Sequence, residues 1–298
     1  MERRLIFRGI LCGAFAGLIA FAFARIFAEP MIGKAIGYES GRDAAQEVLD
    51  RAAGLAVPGG GSDVFSRTIQ SNVGIGVGMI AFGAAIGGLY AVAYVIAYGR
   101  IGMVRARTTA LLVALGGFFF LYFVPFLKYP ANPPAIGHEE TIKDRTLLYL
   151  AMMATSLVFG FLAVWFGRRL RPHYSAWTAT LVAAGVFVVA IGIIMFVLPP
   201  LGHLAVNKRE YGYHSTETPQ PLLDSKGNIV YPGFPADVLY RFRLYSAGAQ
   251  LLLWGALGLT FAPLAERLLE PGRRALGGQS RKTQSPQIDD TSTTPAGI

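Results

Sequence analysis

The chain has 298 residues, of which 53% are hydrophobic and 15% charged, with a formal net charge of +9. Soluble globular domains carry about 25% charged residues, and six stretches here are nearly free of charge over the roughly 20 residues that an α-helix needs to cross a bilayer core. A soluble enzyme, a disordered tail protein and a disulfide scaffold are thereby excluded, and the fold class expected is an all-α, polytopic membrane helix bundle.

The first expected span covers residues 8–28. Arg3 and Arg4 precede it as they would a signal peptide, but the apolar run is too long. Glu29-Pro30 follows it instead of a small-x-small cleavage site, so a retained helix is predicted. Gly9, Gly13 and Gly17 recur every fourth residue, a spacing that lets two backbones approach closely in lipid. Cys12, the single cysteine, reads as a buried core thiol, and Arg25 with Glu29 reads as a local ion pair at i, i+4. The segment 29–72 then holds a polar stretch at 41–53 expected to form a short amphipathic helix, ended by Gly54 and by a flexible break at 58–62.

The second span is expected at 73–98, with glycines at Gly74, Gly78, Gly83 and Gly87 as further packing positions. These glycines suit bundling within the chain or a seam for another subunit. Spans three to six are expected at 108–127, 147–167, 178–199 and 245–264. Loops at 128–146 and 201–243 lie on the same face as 29–72. Within the last of these, Asp224 to Asn228 separates two short apolar runs and suggests a small hairpin. The organisation predicted is a bundle over 1–270 followed by a disordered polar tail at 271–298.

The charges divide by face. The side of the N-terminus holds 14 Lys/Arg against 5 Asp/Glu, and the other side holds 13 against 13. The basic face is expected to be cytoplasmic by the positive-inside rule, with both termini inside. This placement also removes a nucleic-acid partner as the reason for the positive charge. Arg67, Arg145 and Arg243 each precede a span, with Gly83, Gly160 and Gly258 following at offsets of 16, 15 and 15. That pattern suggests one helix–loop–helix hairpin used three times, although arginines and prolines mark helix ends in any membrane protein.

Enzyme signatures are missing: there is no Walker A loop, no H-E-x-x-H, no G-x-S-x-G and no Cys-x-x-Cys. The outer loops hold 13 of 18 acidic residues and three of four histidines. His138, Glu139, Glu140 and Asp144, with His203 at the mouth of the fifth span, form the candidate metal set. Imidazole with carboxylate oxygens suits a borderline divalent ion better than Ca²⁺ or Mg²⁺. No fixed ligand spacing links them, and a loop histidine is often only solvated.

The most distinctive segment follows the third span: Lys128-Tyr129-Pro130-Ala131-Asn132-Pro133-Pro134, with Gly137 and Glu140-Thr141 beyond it. With the early Gly-x-x-x-Gly span ending in Glu29-Pro30, it resembles the CbtA family of predicted cobalt transporter subunits. The resemblance implies a multi-pass protein of a bacterial inner membrane, with no enzymatic activity and no permanent cofactor. It also implies Co²⁺ as the transported ion and a small, histidine-bearing, single-span partner of the CbtB type. The family is often described with five spans where six are counted here, and the resemblance carries over no ligand residues. The alternative is a membrane scaffold or assembly protein without a substrate of its own.

Overall fold

The computed structural model describes residues 2–55, 69–100, 102, 104–214 and 216–270. The glycine-rich break at 58–62, Arg67 and the tail at 271–298 lie outside the described residues. Among them are six helices long and apolar enough to cross a membrane: Glu2–Phe27, Ser71–Ala97, Ala106–Lys128, Glu139–Leu170, Ala176–His203 and Ala236–Leu269. The sixth has 34 residues, roughly 50 Å at 1.5 Å per residue against about 30 Å of hydrocarbon. Its first turns therefore project beyond the apolar layer on the face that carries the long loops.

The first two spans meet along a glycine seam. A Cβ on Gly13 would strike the Gly83 carbonyl, one on Gly87 would strike that of Gly9, and one on Gly17 would strike that of Met79. Gly74 and Gly78, expected on the same seam, are outside it: a Cβ on Gly78 would meet nothing within 4 Å, and one on Gly74 only the Ile69 carbonyl at 3.9 Å. The reason is helical phase. Five residues separate Gly78 from Gly83, which turns it about 140° away from the seam, and Gly74 ends a π-helical turn, Gln70–Gly74.

The first span also packs on the sixth, and the sixth on the third. Their core joins Leu5, Cys12, Ala16 and Ala20 to Tyr90, Tyr94, Leu253, Trp254, Leu257 and Phe261. Tyr90 and Tyr94 each donate a hydroxyl proton across to the third span, to the carbonyls of Ala110 at 2.7 Å and Ala106 at 3.2 Å. The fourth and fifth spans pack on each other and on the third through Val124, Met152, Phe187 and Ile191. Three successive hairpins would pair spans five and six, yet the sixth packs on the first and third instead. The repeat survives only in the contact role of its glycines. Gly83 lies in the seam, Gly160 faces the Phe120 ring, and Gly258 faces the Ala114 methyl, which a Cβ would approach to 2.7 Å.

The third span is interrupted by a π-helical turn, Phe118–Phe123, before Val124–Lys128. Pro125 has no N–H to give to the Leu121 carbonyl, and the Tyr149 hydroxyl approaches that oxygen at 3.5 Å. At the other end, Arg105 supplies no side-chain cap, and the Ala106 N–H donates to Glu270 Oε1 at 3.0 Å. A carboxylate from the end of the sixth span thus caps the start of the third. Glu270→Ala is expected to lower stability by about 1 kcal/mol, read as a lower denaturation midpoint in detergent. An unchanged midpoint would mean that water satisfies this N–H equally well.

The loop face differs from expectation at its first element. The helix predicted at 41–53 starts earlier and runs Glu29–Ala52. Pro30 sits in its first turn, where a missing N–H costs nothing. Met31, Ala35 and Tyr38 form its buried face, packed on Ile136, Tyr231, Phe234, Val238 and Phe242. Leu222–Leu223 and Ile229–Tyr231 form the expected antiparallel hairpin. Asp224 accepts the N–H groups of Lys226 at 2.9 Å and Asn228 at 2.8 Å, and the Asn228 amide at 2.9 Å. The bonds from Asn228 hold its carboxyl below the usual range.

Candidate functional site

The proline-rich loop after the third span is pinned to three other parts of the chain. The Tyr129 hydroxyl donates to the Pro199 carbonyl at 2.9 Å, at the end of the fifth span. Arg243 of the sixth span donates from Nη2 to Asn132 Oδ1 at 2.9 Å and from Nε to the Ala131 carbonyl at 3.2 Å. Pro133 is fully buried, whereas Pro134 is exposed, Pro130 is partly covered, and Lys128 lies 5.8 Å from the Tyr129 ring centre. The segment acts as a strut rather than as a ligand set.

The third anchor is Glu217, whose side chain is 0% exposed. Its Oε2 lies 3.0 Å from Arg145 Nη1, and its Oε1 accepts from the Thr141 hydroxyl in a short contact and from the His138 N–H at 3.4 Å. Gly137 makes room for this pair. Its φ is +114°, and a Cβ there would come within 2.8 Å of Glu217 Oε2 and 2.9 Å of Arg145 Nη1. Sequence reasoning missed Glu217, because no spacing separates one carboxylate from the others on an acid-rich face.

His138 was expected beside Glu139, Glu140, Asp144 and His203, and the structure does not gather these five. Its Nε2 lies 2.9 Å from Glu210 Oε2, while Glu210 Oε1 is 3.8 Å from Arg42 Nη2. The Tyr211 ring stacks on the imidazole with centroids 5.4 Å apart. Burial, reinforced by the Glu210 carboxylate, pushes the Tyr211 phenol up to about 12, so it stays neutral. Glu139 and Glu140 are exposed at the start of a 3₁₀ turn, Glu139–Thr141, whose Thr141 is buried, and Asp144 is exposed one turn later. His203 is exposed and meets the edge of Tyr213 at 5.4 Å. Among the described residues, no three His, Cys, Asp or Glu side chains form a metal-holding group. Burial raises the Glu39 carboxyl above its ordinary range, and the carboxylates of Asp43 and Glu139 raise it further. Arg25, expected to pair with Glu29, donates its Nε–H to Asn72 Oδ1 at 2.8 Å.

The family described as "Probable cobalt transporter subunit (CbtA)" matches residues 2–266, which takes in the strut, the buried ion pair and nearly all of the six apolar helices. The chain belongs to the CbtA family. Neither a curated protein nor a solved structure matches it. Six apolar helices in a transporter-subunit family make this a multi-pass membrane protein. Beneath the strut, this CbtA-family subunit has a cavity of about 440 Å³ between the third and fourth spans. Tyr122, Tyr129, Asn132, Arg145, Thr146 and Tyr149 contribute its polar lining, so the loop and the bundle share one wall.

Proposed function

We propose that this protein is the multi-pass subunit of a cobalt uptake system in a bacterial inner membrane. The basic face is cytoplasmic, the loop face is external, and a small histidine-bearing CbtB-type subunit works beside it. The match to the cobalt transporter family over residues 2–266 carries this reading. Co²⁺ is the cargo, and neither catalysis nor a resident cofactor belongs to the proposal.

The chemistry of the loop face supports it. Burial raises the Glu39 carboxyl, the neighbouring Asp43 and Glu139 carboxylates raise it further, and a divalent cation would offset that carboxylate repulsion. Beside them, His138 and Glu210 offer an imidazole nitrogen and a carboxylate oxygen, a donor pair suited to Co²⁺. Two donors leave the coordination shell to be completed by water and by the partner. His138→Ala and Glu210→Gln are each expected to lower cobalt accumulation severalfold at matched membrane expression. Parental accumulation in the double variant would remove this pair from the path. Because no metal-holding group forms among the described residues, a second reading has the subunit as a scaffold that presents the partner's ligands. Loss of uptake on changing His138 would speak against it.

Orientation has its own test, made simple by the single, buried cysteine. In a Cys12→Ala background, Ser225→Cys on the hairpin is expected to react with an impermeant maleimide in intact spheroplasts. His173→Cys on the basic face is expected to react only after lysis. The reverse pattern would invert the proposed direction.

A further inference from the structure

We infer that the basic face holds a site for one acidic phospholipid, in a groove formed by the third, fourth and fifth spans. The groove has a volume of about 410 Å³. Phe119, Phe120 and Phe187 close its deep end, and Arg168 and Arg171 stand at its mouth. Its walls are otherwise small or apolar.

Two observations point to a lipid rather than to a helix of another protein. The first is length. Along the fourth span the groove runs from Gly160 to Arg171, a rise of about 16 Å, half of a hydrocarbon layer roughly 30 Å thick. It is as deep as one leaflet and then stops against the Phe119–Phe120 pair, whereas a spanning helix would need a groove through both leaflets. The second is charge. Arg168 and Arg171 are exposed, and among the described residues neither has a carboxylate partner. The Arg168 Nη2 donates to the Arg100 carbonyl at 2.9 Å, which draws the neighbouring basic loop to the same mouth. Segments 99–107 and 168–176 contain six arginines and no Asp or Glu. Guanidinium groups at headgroup depth above a chain-width apolar slot fit a phosphodiester with its acyl chain below.

The test uses the whole purified chain in a mild detergent. Phosphatidylglycerol at saturation is expected to raise the melting temperature by on the order of 5 °C, and native mass spectrometry is expected to retain one such lipid per chain. Phosphatidylcholine and inorganic phosphate are expected to do neither. Arg168→Gln/Arg171→Gln should abolish the headgroup preference, and Ala184→Phe, which fills the groove from an exposed wall position, should abolish retention with the arginines intact. Equal shifts from phosphatidylcholine, a shift from phosphate alone, or undiminished retention in both variants would overturn the site. So would the absence of any retained lipid in the parent.

Discussion

Gly13→Leu is expected to abolish assembly of the bundle, because Gly13 lies where two helix backbones touch. Even a single Cβ at this position would strike the Gly83 carbonyl and come within 2.7 Å of the Gly87 Cα. The obstacle is backbone on a neighbouring helix, which no change of rotamer can move. Gly13→Ala should therefore already cost about 1–3 kcal/mol, and Leu should leave little monodisperse protein after detergent extraction. Gly83→Leu should behave alike, since its Cβ would strike the Gly13 carbonyl and approach Gly17 Cα to 2.9 Å. Gly78→Leu supplies the contrast, as nothing lies within 4 Å of its Cβ position. Equal loss at Gly13 and Gly78 would mean that glycine acts here through the backbone alone and that the seam is not what joins the two helices.

The second large effect is expected at Arg145. Arg145→Met leaves the fully buried Glu217 carboxylate without its cation, and breaking a buried pair by removing one partner costs about 3–5 kcal/mol. Glu217→Gln should cost less, because the amide keeps a polar partner for Thr141 and the Arg145 guanidinium left unpaired is 26% exposed, so water can solvate it. The two sites share one network, so a double variant should lose less than the sum of the single losses. The loss is expected in the loop face before the bundle. Proteolysis of 129–141 in the Arg145→Met protein should precede any change in helical content. A variant as stable and as protease-resistant as the parent would show that the carboxyl is satisfied without the guanidinium.

The six spans were legible because long runs free of charge have few other uses, and the glycine spacing of four marked the seam on the first helix. The second helix shows where the reading stops. Spacing within one helix does not reveal which glycines share a face with a partner, and Gly78 lies out of phase with Gly83 and Gly87. The helix Glu29–Ala52 was read short. Pro30 and Gly33, Gly37 and Gly41 resemble breakers in sequence, and the surfaces that hold them helical come from residues near 136, 231 and 240. The hairpin at 222–231 was legible from its Asp-to-Asn turn, which is local chemistry.

The candidate site was half legible for the same reason. His138 does lie at a polar junction, yet its carboxylate is Glu210, 72 positions along the chain. Sequence proximity favoured Glu139 and Glu140, which face outward because the 3₁₀ turn directs them to solvent. The proline-rich run was legible as distinctive and as a family resemblance. Its physical role as a strut held by Pro199, Arg243 and Glu217 depends on contacts that only the folded chain makes.

Radiocobalt accumulation tests the central claim most directly. Cells without cobalt uptake of their own would express the chain alone, the chain with a small histidine-bearing CbtB-type protein as its proposed partner, or neither. Time-dependent accumulation above the empty control is predicted when the two are expressed together, and it should be competed by unlabelled Co²⁺. Accumulation no higher than the control, with both proteins folded in the membrane, would contradict a role in cobalt uptake.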